Sequence, residues 1–336
     1  MGGQLQTNNE IIETPQEEIR QTIKGVEIII ESEYLNTSGD KDGGVRSFVE
    51  TEDKRIASGG YDGNISISSY DVNEKKWNRD IYKKKAHKDS VSSLCTSNNN
   101  RLLSSSWDHL IKIWSLSKRS LTLITKIKEH TDYVHNIIPL SEGRFASCSR
   151  DRTIRIWKDD KKFQCLSKLD EQYVSSILQL KSKEVLVSLS TWSITFWDIK
   201  NYTKLHTLKG NDITGANRMV ELSNGNIAIS YSVKPNPIII IDSSSYQIIT
   251  VIQLKKYITF DSCLCALNQS LIYAYRGTFL QISCEDYSVL FYSNNVSFKP
   301  LGGRFIGDYG IIPLKGGKYF AVDSDKRIYI IQPCYA

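Results

Sequence analysis

"SSSWDHLIKIWSL" occupies residues 104–116, and "SCSRDRTIRIWKD" occupies residues 147–159. In each, a Ser-x-Ser-x-Asp pattern leads into an alternating stretch that ends on Trp. Alternation of period two is the signature of a half-buried strand, and the Asp-bearing step before it reads as a tight turn. Two copies of one pattern, about forty residues apart, point to an internal repeat.

Extending the template outward finds more copies. An apolar strand introduced by His precedes each pattern: "AHKDSVSSLCT" from Ala86 and "EHTDYVHNIIPL" from Glu129. "VRSFVETEDKRIASGGYDGNISISSYD" from Val45 has the same order, with Ser58 and Asp62. "YVSSILQLKSKEVLVSLSTWSITFWD" from Tyr173 has it again and ends on Trp197-Asp198. Looser copies follow from Arg218, Cys263 and Tyr309. First strands are expected near residues 45, 91, 134, 174, 216, 262 and 309, a spacing of 40 to 47 residues. Turn signals such as Glu142-Gly143, Asn224-Gly225 and Gly316-Gly317 separate short β-branched runs. No helical period is present in the repeats.

This pattern resembles the WD-repeat β-propeller family, whose unit is a four-stranded blade of about 40–45 residues. The resemblance covers roughly residues 26–336. It implies an all-β, seven-bladed propeller in one domain, after a tail of residues 1–25. It also implies a buried hydrogen-bonded set in each well-kept blade. That set is His87, Ser104, Asp108 and Trp114 in copy two, and His130, Ser147, Asp151 and Trp157 in copy three. These residues are structural tie-points: buried polar groups persist only where they satisfy one another. Later copies depart from the pattern. Copy one has Ser68 where Trp belongs. Copy four keeps Ser188 and Trp197 but has lost one residue and the Asp. Copy five has Asn211 at the His position, and copy seven keeps Asp325.

The last copy stops at its third strand, while "VEIIIESEY", residues 26–34, has no blade of its own. It is expected to pair with the last blade and close the ring, which removes an open edge. Upstream, Thr14 at the N-cap, Pro15 and Glu17 predict a short helix over residues 14–23.

Composition narrows the function classes. The formal net charge is +6, with Lys and Arg spread along the chain, so nucleic acid is not indicated as a partner. The dense basic run "YKKKAHK" at 82–88 reads as a solvated loop. Seven Cys without ligand spacing, including Cys263 and Cys265 in an apolar run, fit a reducing, cytoplasmic setting. No signal peptide precedes the N-x-S/T triplets, and no apolar run reaches the roughly 18 residues of a membrane span. The start "MGGQLQ" carries Gln6 where a myristoylation signal wants Ser or Thr. There is no G-x-S-x-G, P-loop, H-E-x-x-H or zinc spacing, so neither an enzyme nor a cofactor is expected.

What remains is surface. The resemblance implies that partners bind the face carrying the loops into each first strand and the turns between second and third strands. Those positions hold Arg46, Tyr61, Trp107, Tyr133, His135, Arg150, Tyr173 and Trp192, expected to form one exposed patch across blades one to four. Aromatics and Arg are enriched at interface hot spots. The leading expectation is a non-enzymatic scaffold, a subunit of a larger complex, binding a protein or peptide on that face. One alternative is a substrate receptor of a cullin-type ubiquitin ligase, for which "WDIK" at 197–200 carries Lys200 in place of the Arg that the motif requires. Another is phosphate or nucleic-acid binding through the basic loops.

Overall fold

The computed structural model describes residues 26–31, 45–71, 73, 76–97, 101–181, 183–209, 216–231, 237–253, 263–267, 269–275, 278–293, 311–313, 319–322 and 328–333. The expected helix at 14–23, Asn211 and Asp325 lie outside them.

Strand β1 (Val26–Glu31) comes first in the chain. Blade one follows with β2 (Val45–Glu50), β3 (Ile56–Gly60), β4 (Ile65–Asp71) and β5 (Lys76–Lys83). Blade two holds β6 (Val91–Thr96), β7 (Arg101–Ser106), β8 (Ile111–Leu116) and β9 (Leu121–Ile127). Blade three holds β10 (Val134–Leu140), β11 (Arg144–Ser149), β12 (Thr153–Lys158) and β13 (Cys165–Asp170). Blade four holds β14 (Val174–Gln179), β15 (Val185–Ser190), β16 (Ser193–Asp198) and β17 (Thr203–Lys209). Blade five holds β18 (Ala216–Glu221), β19 (Ile227–Tyr231), β20 (Pro237–Ile241) and β21 (Ile248–Gln253). Blade six holds β22 (Cys263–Leu267), β23 (Ser270–Tyr275), β24 (Thr278–Ser283) and β25 (Val289–Ser293). Blade seven holds β26 (Ile311–Pro313), β27 (Tyr319–Val322) and β28 (Ile328–Pro333).

Each blade is one antiparallel four-stranded sheet, and the seventh has the order β1-β28-β27-β26. The chain's first strand therefore completes its last sheet, in the register Val26↔Pro333 to Glu31↔Ile328. First strands of consecutive blades neighbour one another from β2 through β26, so they form the inner ring of a propeller. First strands start at 45, 91, 134, 174 and 216 as expected; the last two start at Cys263 and Ile311, one or two residues later than expected.

Burial explains the residue choice. The middle strands β11 and β15 are buried at every position, because blades cover them on both faces. Outer strands read differently: β13 alternates exposed and half-buried over most of its length. The apolar layers run between blades. One cluster joins Val187, Phe196 and Leu189 of blade four to Ile227, Ile229 and Ile239 of blade five.

Two bulges recur. In blades one to five, the residue after the first-strand start is skipped in the pairing: Arg46, Ser92, His135, Ser175 and Asn217. A bulge re-aims its extra residue away from the ladder. A second bulge falls on the outer strand opposite the Trp position. It extrudes Ile124, Leu166, Leu205, Ile249 and Leu290 in blades two to six. Those five aliphatics are 37–56% exposed for that reason.

Long polar side chains clip neighbouring blades on the side opposite those first-strand starts. Arg55 donates to the carbonyls of Ser117 (2.8 Å) and Lys118 (3.1 Å) in the β8–β9 turn. Arg101 pairs with Asp159 at 2.7 Å in the next turn round the ring. Arg144 donates to the Ile199 carbonyl and pairs with Glu184, both at 2.7 Å. Lys183 repeats the reach to the Ser243 carbonyl at 2.9 Å.

Removing residues 1–31 deletes β1 and leaves β28 as an open edge. The truncated chain is expected to melt roughly 10 °C or more below the full chain and to aggregate. Equal melting of the two by calorimetry would remove β1 from the closure.

Candidate functional site

The repeated residues build a relay. In blade two, Trp114 Nε1 donates to Ser104 Oγ (2.8 Å), and Ser104 Oγ lies 2.7 Å from His87 Nε2. His87 Nδ1 sits 3.0 Å from both Asp108 oxygens. Every group is satisfied in one arrangement: His87 Nδ1–H donates to Asp108, and its Nε2 accepts the Ser104 hydroxyl. Blade three repeats it, with Trp157 to Ser147 (2.9 Å), Ser147 to His130 (2.8 Å) and His130 to Asp151 (2.8 Å). Burial favours neutral His87 and lowers its pKa, although the Asp108 bond opposes this. Burial would raise the Asp108 pKa, but the bond and charge of His87 together with the Lys88 and Leu110 N–H groups outweigh that and hold it at about 2. Asp151 is held low by the same balance, with Thr153 adding a bond at 2.6 Å.

The carboxylates also organise backbone. Asp108 accepts from Lys88 N (2.9 Å) and Leu110 N (3.1 Å), which ties the loop into β6 to the β7–β8 turn. The second Ser of the motif adds a tie that sequence reading missed. Ser106 Oγ donates to the Asp89 carbonyl (3.1 Å) and accepts from Asp108 N (3.0 Å); Ser149 does the same with Asp132 and Asp151. The residue after the turn Asp has positive φ: Gly63 at 76°, His109 at 69° and Arg152 at 67°. At Gly63 a Cβ would meet the His87 carbonyl oxygen at 2.5 Å, so glycine alone fits there. Blade four keeps half of the relay. Trp197 Nε1 donates to Ser188 Oγ at 2.9 Å, and its shortened turn is closed by Ser190 and Ser193 at 2.6 Å. Blade one has none of the Trp–His pair, and Ser66 and Ser68 leave buried hydroxyls without partners among the described residues.

These ties fix two backbone bonds, Trp107 N to the Ser90 carbonyl (3.1 Å) and Arg150 N to the Tyr133 carbonyl (2.9 Å). Side chains from three blades then meet over the first-strand starts. The Arg46 guanidinium lies 3.8 Å from the Trp107 ring centre and 5.5 Å from that of Tyr61. Trp107 stacks on Tyr133 at 5.2 Å and 17°. Arg150 lies 5.6 Å from the Tyr133 ring. The result is a continuous stack, Tyr61–Arg46–Trp107–Tyr133–Arg150. Beside it, His135 contacts Tyr173 at 5.1 Å.

The placement corrects the expected exposed patch in three respects. Arg46 is 2% exposed, a buried base under the stack rather than a surface residue. Its position as the bulge residue of β2 turns it inward to Ser90 Oγ at 3.2 Å. Trp107 is half-buried because Arg46 and Tyr133 flank it. Trp192 is 60% exposed, yet among the described residues no ring contact joins it to the stack.

Charge accumulates at this mouth. Burial lowers the Arg46 pKa to about 10, opposed by Tyr61 and Asp89. Burial, then Arg46 and later Arg150, lower that of His135 to about 4, so it is neutral at pH 7. Trp107 Nε1 and His135 Nε2 are buried without hydrogen-bond partners among the described residues. Each such group costs about 1–3 kcal/mol. No group of three or more His, Cys, Asp or Glu among the described residues could hold a metal ion. No described helix is long and apolar enough to cross a membrane. Asp198 of the "WDIK" stretch caps its own turn, accepting from Lys200 N (2.8 Å) and Asn201 N (3.0 Å).

The family model for the WD domain, G-beta repeat, matches residues 78–115 and 121–158. Those spans contain both Ser–Trp halves of the relay, set in a ring of seven four-stranded sheets. Blades two and three are WD repeats, and the chain folds as a β-propeller. Among solved structures this propeller is similar to the WD40 beta propeller domain of Doa1, at 16% identity and TM-score 0.70. The match covers 91% of this chain and 97% of that one. No curated protein matches the sequence.

Two outcomes test the relay. Asp151→Ala should lower stability in urea by about 1–3 kcal/mol, because it strands the His130–Ser147 side. Asp62→Ala should lower it less, since Asp62 accepts only from Asn64 among the described contacts. Equal losses would contradict the assignment. The second concerns pH. The lowered pKa values of His87 and Asp108 mean that the unfolded chain binds their protons more readily. Stability must fall on acidification, below about 6.5 for the His and below about 3.9 for the Asp. Urea midpoints that stayed flat from pH 7.5 to 4.5 would refute the His part.

Proposed function

We propose that this propeller is a non-enzymatic scaffold that binds a protein or peptide partner on the face carrying the Tyr61–Arg46–Trp107–Tyr133–Arg150 stack. WD-repeat propellers act generally in protein interaction. The observation that carries the reading is the stack together with the two buried, unpartnered nitrogens, Trp107 Nε1 and His135 Nε2, beside it. Folding alone gains nothing by leaving those groups unpaired; a partner that pairs them recovers their cost. Two Arg guanidiniums at the mouth favour an acidic segment.

The test is Arg150→Glu. Its side chain is 54% exposed and only loosely paired with Asp132 at 3.7 Å, so the fold should tolerate the change. Affinity purification from native extract followed by mass spectrometry should lose proteins that co-purify with the parent chain, while the melting temperature stays within about 4 °C. A full set of co-purifying proteins would place the partner surface elsewhere.

A further inference from the structure

A groove of about 660 Å³ opens between blades three and four, outside the stack. Its floor and walls come from the β11–β12 turn, outer strand β13, the loop into β14, the β15–β16 turn and outer strand β17. Trp192 stands in it, 60% exposed, although no packing need holds so large an apolar group in water. Glu171 lies at its base with its side chain 5% exposed. One Glu171 oxygen accepts from Gln172 N at 2.9 Å. The other, Oε2, has no hydrogen-bond partner among the described residues; Lys204 Nζ stops 3.7 Å away. A buried carboxylate oxygen without a donor is a costly feature and marks where an N–H is wanted.

The charges decide the sign of the occupant. Arg152, Lys168, Lys204 and Lys209 line the groove, against Asp151, Asp170 and Glu171. Asp151 is committed to His130, Lys168 pairs with Asp170 at 3.2 Å, and Lys204 leans on Glu171. Arg152 and Lys209 are left without an ion pair among the described residues. A carboxylate entering here meets two unclaimed basic groups, whereas a cation meets no unclaimed acidic one. A polyphosphate fits poorly: the lining's surplus of positive charge is small, and a phosphodiester backbone brings no donor for Glu171 Oε2. A peptide brings a main-chain N–H at nearly every residue.

We propose that this groove is a second recognition site, which takes an extended acidic peptide segment bearing an aromatic side chain. The aromatic ring packs on the Trp192 indole, a main-chain N–H donates to Glu171 Oε2, and flanking carboxylates face Arg152 and Lys209. The site does not depend on the reading of the inner stack, and its residues are scored by separate variants.

The probe is a short fluorescein-labelled peptide alternating Asp with Phe, titrated with the full chain by fluorescence polarisation. Controls are the same peptide with Lys in place of Asp, and a single-stranded oligo-thymidine. Saturable binding of the acidic peptide is expected. Trp192→Ala, and separately the Arg152→Glu, Lys209→Glu pair, should each weaken it about tenfold or more while circular dichroism stays that of the parent. Rising salt should weaken it further. Absence of binding, equal binding of the Lys peptide, tighter binding of the oligonucleotide, or full affinity in Trp192→Ala would each overturn the proposal.

Discussion

The structure depends on two buried carboxylates, Asp108 and Asp151, that cannot be left alone inside a blade. Each is paid for by a His side chain and by backbone N–H groups from two separate loops. The consequence reaches beyond stability. Because one carboxylate bonds the loop into the first strand and also the turn between the second and third strands, it fixes the relative position of both. Everything aimed from those loops, including Trp107, Tyr133 and Arg150, inherits a rigid base. Rigid placement lowers the ordering cost of binding, which is what an interaction surface needs.

Blades are held to one another by a different device. Apolar layers between neighbouring sheets give the bulk of the adhesion, and the arginines at the start of β3, β7 and β11 direct the register by reaching the next blade's outer turn. The two devices work at opposite ends of the strands. Relays organise the end that carries the aromatic stack; the Arg and Lys clips organise the other. Where relay residues fall away, as in blade five, a run such as Ile238–Ile241, buried throughout, carries the blade on packing alone. This division lets later copies drift in sequence without losing the fold.

Much of this was legible in the sequence. The spacing of Ser104, Asp108 and Trp114 against Ser147, Asp151 and Trp157 marks the blades, and "VEIIIE", residues 26–31, finds its place because a last blade with three strands needs a fourth. Two things were not legible. Bulges depend on pairing, so nothing in "VRSF" says that Arg46 leaves the ladder and turns inward; counting along the chain places it on the surface. The groove beside Trp192 is equally hidden, since Glu171, in the loop into β14, meets Lys204 of outer strand β17 only once the chain has folded. The second Ser of each Ser-x-Ser-x-Asp motif was visible and could have been assigned, because its spacing of two from the Asp is that of a turn-capping hydroxyl.

Burial and the converging charges of Arg46 and Arg150 hold His135 neutral beside the stack over the first strands. The most direct measurement is the titration of His135 in the folded chain, followed by two-dimensional NMR of its ring. A transition near pH 4, moving upward in Arg150→Glu, is the predicted result. A transition near the unperturbed value of about 6.5 would show that His135 is solvated and distant from Arg46, and the account of this face would fail.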